Sequence, residues 1–247
     1  MARLRPISRI ALALFVLALC LAGYALTWPL RRSIGWPRFF LQWFGEAMGL
    51  DVHIEGAPLA RDVLYVANHV SWLDILALGG ATPTAFVSKD DVGGWPLVGM
   101  LARIGGTIFI DRNSRRAAHG QVDQLGSALL GHHPITLFPE GTTSDGLAVL
   151  PFRPALFASV APPPAGVAVQ PVAIDYDAAA GEIAWTGDED LGPNAMKVLS
   201  RRGRLRCTIR FLEPLPPLVQ VVPDRSACDH PMLVSAPRCS CADATMR

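Results

Sequence analysis

Hydrophobic and polar positions follow three rhythms along the chain. From Ile10 to Leu30 no residue is charged and nearly all are apolar, a run that reaches the roughly 20 residues needed for a bilayer-crossing helix. The stretch from Arg31 to Leu50 interleaves Trp36, Phe39, Phe40, Trp43 and Phe44 with polar residues. Amphipathic rings in that pattern suit the headgroup layer, which predicts an interfacial helix; the same rings can also pack on the domain that follows. From residue 51 short β-branched runs alternate with helical ones. Strands are predicted at 52–56, 62–68, 84–88, 106–110, 134–138, 167–174, 182–186 and 206–212, and helices at 71–81, 95–103, 114–130 and 154–160. The alternation predicts an α/β fold, a mixed, largely parallel sheet flanked by helices, with its ligand site at the loops leaving the strand ends. Residues 1–50 then form a membrane-anchoring two-helix leader and 51–222 the α/β domain, while 223–247, which have no period, are a disordered or divergent tail.

Composition narrows this picture. Of 247 residues 51% are hydrophobic and 17% charged, which excludes a disordered chain, and a single long apolar run excludes a polytopic transporter. The formal charge of +1 is unevenly placed: residues 1–50 hold six arginines against Glu46, leaving 16 basic and 20 acidic residues in 51–247. A basic leader on a mildly acidic body argues for attraction to a membrane surface and against nucleic acid. A secretory signal peptide also begins with basic residues and an apolar core. The apolar run here, however, is longer than the usual core of about 7 to 15 residues, and it ends on an arginine pair. Arginines on both flanks leave its orientation open. Five cysteines show no legible disulfide framework and point to a reducing compartment.

Four segments of the body carry chemistry. The first runs from Asn68 to Asp74, where a strand ends and a helix can start at Ser71. Asp74 can fold back from the first helical turn onto the imidazole of His69. There it fixes the tautomer and stabilises the imidazolium, as a base that abstracts a hydroxyl proton requires. A lone histidine in this place is otherwise structural. The second segment opens on Lys89 and ends on Asp111 and Arg112 at the carboxyl end of a strand. Arg112 can form a bidentate anion contact there, or be a solvated turn residue. In the third, Phe138-Pro139-Glu140-Gly141-Thr142-Thr143-Ser144-Asp145-Gly146 follows an apolar strand. Its hydroxyls and amides form a polar cup for a phosphate or another polar head, or else a plain turn. Gly141 and Ser144 are separated by two residues where a hydrolase nucleophile elbow has one, so the match to that motif fails and argues against a serine hydrolase. The fourth is an apolar strand interrupted by Pro171, which implies a bulge or an edge where the sheet opens, beside an acyl groove.

Together these blocks resemble the glycerolipid acyltransferase family, the 1-acylglycerol-3-phosphate acyltransferases and their lysophospholipid acyltransferase relatives. The likeness rests on the H-x4-D pair His69 and Asp74, the G-x-I-F-I-D-R block ending at Arg112, the F-P-E-G-T block at 138–142 and the V-x-P-V strand at 169–172. These stand in family order across residues 60–176, and the leader is similar to the family's membrane-embedding two-helix motif. The resemblance implies that His69 is the catalytic base and Asp74 its orienting partner. It implies that Lys89, Arg112, Glu140, Gly141, Thr142 and Thr143 bind substrate. The acyl donor would be a thioester of coenzyme A or acyl carrier protein and the acceptor a membrane lipid with a free hydroxyl, without metal, cofactor or covalent enzyme intermediate. A place on the cytoplasmic face of the inner membrane follows. Lysophosphatidate is the expected acceptor. One departure counts against it: Thr143 stands where the family's E-G-T-R-S block has arginine, and E-G-T-T-S-D-G resembles the lyso-ornithine lipid branch. A second departure is the tail, which lacks the closing helix of relatives. Its Cys228, His230, Cys239 and Cys241 are spaced more tightly than a zinc site requires.

Overall fold

Every residue of Val63–Ala67 (β2) is apolar, and the strand is buried on both sides, as a central strand of a helix-covered parallel sheet must be. The computed structural model describes residues 4–30, 35–110, 125–157, 163–187 and 189–216. Around β2 stand β1 (Leu50–Glu55), β3 (Ala85–Lys89), β4 (Ile108–Ile110), β5 (Ile135–Leu137), β6 (Ala168–Asp175) and β7 (Leu205–Phe211). The seven strands are ordered β1-β7-β6-β2-β5-β3-β4, and every pair is parallel except β6 with β7. Five strands, β2 to β6, therefore end on one common edge. The expected mixed, largely parallel sheet is present.

Side chains alternate across the pleat. On one face Val63, Tyr65, Ala67, Val172 and Ile174 share a core with α2 (Trp36–Met48), α3 (Leu73–Ala81) and α6 (Leu191–Ser200). On the other, Leu64, Val87, Ile108 and Leu137 meet Leu125 and Leu129 of helical residues 125–130. The short helices α4 (Asp90–Gly93) and α5 (Pro96–Ile104) carry the chain between β3 and β4.

Two readings change. Residues 182–186 are not a strand: Ala180–Ile183 form a helical turn, and Trp185 makes a single backbone bond to the Val70 carbonyl. Ile183 and Ala184 are buried in succession, as at a helix end, and the apolar residues that mimic a strand are that turn and its exit. Conversely, α6 goes unpredicted because Gly192 and Pro193 occupy its first turn, where a proline costs little since the N–H there has no helical partner. The predicted helices at 114–130 and 154–160 fall partly outside the described residues.

The leader packs as part of this body. α1 (Leu4–Thr27) turns its Ala13, Val16 and Cys20 inward while Ile7, Leu14 and Phe15 are exposed. Leu41 and Phe44 of α2 press on the core, and a Cβ placed on Gly80 of α3 would lie 2.8 Å from the Gln42 backbone. Two leader arginines do not reach outward to lipid. Arg9 donates to the carbonyls of Val198, Leu199 and Gly203 at the end of α6, and Arg38 to those of Gly80 and Ala81 at the end of α3, satisfying carbonyls that a helix terminus leaves open.

Pro171 sits where the β6–β7 ladder ends, beyond Val172 paired with Phe211. Its carbonyl accepts the Leu212 N–H, but it has no N–H to return. The buried Gln170 supplies the missing donor, its Nε2 reaching the Leu212 carbonyl at 2.9 Å.

Candidate active site

The site is built where β2 runs out. Asn68 clamps this turn to β6, its Nδ2 donating to the Ile174 carbonyl at 2.9 Å and its Oδ1 accepting the Ile174 N–H at 2.7 Å. The next residue, His69, projects its imidazole onto Phe138, with ring centroids 4.0 Å apart and planes within 15°; Phe138 in turn stacks on Phe86 of β3. Its side chain is 17% exposed.

Asp74, in the first turn of α3, is fully buried. Its Oδ2 lies 2.7 Å from His69 Nδ1 and accepts the N–H groups of Val70 and Ser71 at 2.7 and 3.0 Å. Its Oδ1 accepts the Tyr176 hydroxyl at 2.6 Å. An ionised carboxylate surrounded by donors only accepts, so Nδ1 carries the proton. In a neutral imidazole Nε2 then keeps a lone pair for a substrate proton. Burial, followed by the charge of Asp74, pushes the Tyr176 phenol well above its ordinary value. Cys207 of β7, whose thiol meets that phenol, is pushed up to about 12 chiefly by burial.

Glu140, buried after β5, holds two loops to this turn. Its Oε1 accepts the His69 N–H and its Oε2 the Leu150 N–H, both at 2.7 Å. Gly141 turns at φ 71°, which favours glycine. Ser144 donates its N–H to the His69 carbonyl at 2.7 Å. Thr142 is exposed, and the Thr143 hydroxyl donates to the Trp185 carbonyl. Lys89 ends β3 on the same sheet edge, exposed. Arg112 lies outside the described residues, as do Cys228, His230, Cys239 and Cys241. Among the described residues no three His, Cys, Asp or Glu side chains are grouped to hold a metal.

The sequence thus places His69, Asp74 and Glu140 together. Sequence reasoning misses Asn68 as a clamp, as well as Tyr176 and Trp185; for Tyr176 the available signal was a hydroxyl-bearing ring directly after the V-x-P-V strand. Beside Asn68 an apolar cavity of about 300 Å³ opens between Val66, Val169, Pro171 and Ala173 of the sheet and Val149 and Phe152 of the loop after the cup.

Comparison with known proteins gives a family and a fold. A family model described as Acyltransferase matches residues 49–175. The chain is 40% identical over 181 residues to a lyso-ornithine lipid O-acyltransferase of Rhizobium meliloti, covering 67% of this chain and 62% of that one. It is 38% identical over 232 residues to the Pseudomonas aeruginosa protein of the same name, covering 87% of each. A 1-acyl-sn-glycerol-3-phosphate acyltransferase of Neisseria gonorrhoeae is 40% identical over 136 residues, 53% of this chain and 52% of the other. The crystal structure of a 1-acyl-sn-glycerophosphate acyltransferase of Thermotoga maritima superposes with a TM-score of 0.61 at 22% identity, covering 88% of both chains, and shares the fold.

Proposed function

The chain belongs to the acyltransferase family, and from that premise we propose that it moves a fatty acyl group from a thioester of coenzyme A or acyl carrier protein to the free hydroxyl of lyso-ornithine lipid. The observation that carries the reaction is the 2.7 Å contact between His69 Nδ1 and the buried Asp74. Nε2 of His69 takes the proton of the acceptor hydroxyl as its oxygen attacks the thioester carbonyl. The C–O bond forms, the C–S bond breaks, and the imidazolium returns the proton to the departing sulfur. Asp74 holds the ring and offsets the charge it carries between the two transfers. The apolar cavity beside Asn68 gives an acyl chain a place next to this chemistry.

The acceptor follows from the cup. A phosphate head is best met by a guanidinium fork, and a charge-assisted contact of that kind contributes on the order of 1.5 to 3 kcal/mol. At 143 the chain has threonine instead, with its hydroxyl directed to the Trp185 carbonyl. Relatives named for lyso-ornithine lipid match over more of the chain than those named for the phosphate acceptor. Both points favour lyso-ornithine lipid, which sequence alone ranks second. Lysophosphatidate remains the second reading, supported by Lys89 at the same sheet edge. The exposed apolar face of α1 supports a membrane location; with a donor drawn from the cytosol, the proposed side is the cytoplasmic one.

The test offers both acceptors side by side to the purified protein in mixed micelles, with acyl-CoA and acyl carrier protein as donors. A kcat/KM for lyso-ornithine lipid at least about tenfold above that for lysophosphatidate is the expected result, a margin of roughly 1.4 kcal/mol. The opposite ranking selects the phosphate acceptor.

A further inference from the structure

Asp74 has two oxygens, and the reaction proposed above uses only one. Oδ2 serves His69 and two backbone amides, while Oδ1 is held by a group from a distant part of the chain, the Tyr176 hydroxyl at 2.6 Å. Tyr176 is 1% exposed and directly follows β6. Among the described residues the phenol's strong acceptor is Asp74 Oδ1. Cys207 lies against it as a weak sulfur partner, and the Asp175 carboxylate is turned outward to Arg210 at 2.9 Å. The ring therefore sits between sheet and α3 with its one donor aimed at one carboxylate oxygen.

We propose that Tyr176 is a positioning residue for the reaction: its buried hydroxyl fixes the rotation of the Asp74 carboxylate so that Oδ2 points along the His69 Nδ1–H bond, and it withdraws part of the charge that the imidazolium would otherwise feel. This rests on the reading of His69 and Asp74 as the catalytic pair. A carboxylate held at one oxygen can swing about its χ2 bond, which is a soft torsion; a second strong donor on the far oxygen removes that freedom before substrate arrives. Burial and the adjacent Asp74 keep the phenol protonated across any working pH, so the donor is permanent. Among the described residues, the titratable groups around the pair are Glu140 from the loop after β5, Tyr176 and Asp175 from the end of β6, and Cys207 from β7. Glu140 meets the backbone of His69 and not its ring, so Tyr176 is the neighbour that acts on the Asp74 side of the pair.

The experiment measures kcat and KM against pH for the full-length purified protein and for Tyr176→Phe, with His69→Ala and Asp74→Asn as references. Tyr176→Phe keeps the ring and removes only the hydroxyl. The expected result is a kcat lowered by about tenfold with KM within about twofold. The acid limb of kcat/KM should move to higher pH, because a carboxylate relieved of one donor stabilises the imidazolium more. In the Asp74→Asn background the same change should cost nothing further. Should Tyr176→Phe fail to fold, 3-fluorotyrosine at position 176 serves instead: a stronger donor of nearly the same shape, it should move the acid limb to lower pH. A purely structural tyrosine would lower melting temperature and leave both limb and kcat of the folded fraction where they were, which would overturn the proposal. So would a tenfold cost that persists in Asp74→Asn. Substantial activity in His69→Ala would instead remove the catalytic pair itself and Tyr176's role with it, whereas inactive His69→Ala beside a silent Tyr176→Phe would overturn only the role given to Tyr176.

Discussion

At the scale of single residues, the site works by assigning each polar atom a partner. Asp74 accepts four donors, Glu140 accepts the backbone of His69 and Leu150, and Asn68 closes onto Ile174. Buried polar groups so satisfied are rigid, because any rotation leaves an expensive unpaired group. Thr143 belongs to this set, since its hydroxyl links the cup to the Trp185 carbonyl. Thr143→Arg breaks that link and introduces a cation. Turnover of lyso-ornithine lipid, which carries an ammonium, should fall, while a phosphate-bearing acceptor should hold or gain through a lower KM. Steady-state kinetics on both acceptors check this. An equal response of the two would show that position 143 does not face the head group. The His69–Asp74 pair is legible in the sequence because a five-residue spacing at a strand-to-helix junction is local. Tyr176 is not, because its partner lies 102 residues away and only the sheet brings them together.

At the scale of elements, packing overrides propensity where helices approach closely. Gly80 lies inside α3, where alanine is ordinarily preferred by about 1 kcal/mol, yet a Cβ there would stand 2.8 Å from the Gln42 Cα of α2. Backbone cannot yield as a side-chain tip does. Gly80→Ala should therefore destabilise by roughly 1 to 3 kcal/mol, seen as a melting temperature lower by several degrees. Gly192→Ala in α6, where nothing lies within 4 Å of the added methyl, should leave stability level or raise it. A rise for Gly80→Ala would mean that α2 and α3 are farther apart than described. The same contest explains which elements can be read from sequence. Strands β2, β3, β5 and β6 announce themselves because they are interior to the sheet and mostly apolar or β-branched. Ile183 and Trp185 imitate a strand because apolar residues at a helical turn and its exit present the same short pattern, and the periodicity of α6 is masked by Gly192 and Pro193 in its first turn.

At the scale of the whole molecule, the leader is structural support as well as the proposed anchor. Arg9 and Arg38 cap helices of the body, so the charge that sequence alone assigns to lipid is partly spent within the protein. The proposed membrane contact is then carried mainly by the apolar face of α1, where Leu14 and Phe15 are more than 60% exposed. The double change Leu14→Glu with Phe15→Glu should release the protein from vesicles after a high-salt wash without altering its circular dichroism. Protein that stays in the pellet would move the anchor elsewhere. The topology gathers the ends of β2 to β6 on one edge, which puts His69, Lys89, Glu140 and Tyr176 on the same side of the sheet. The central claim is that His69 is the base on that edge, and the most direct measurement is acyl transfer by purified full-length His69→Ala against the wild type, each with the better of the two acceptors. General-base catalysis contributes about 10² to 10⁴ in rate, so the variant should lose at least about a hundredfold in kcat while keeping its fold and its membrane association; retention of a tenth or more of the wild-type rate would contradict the account.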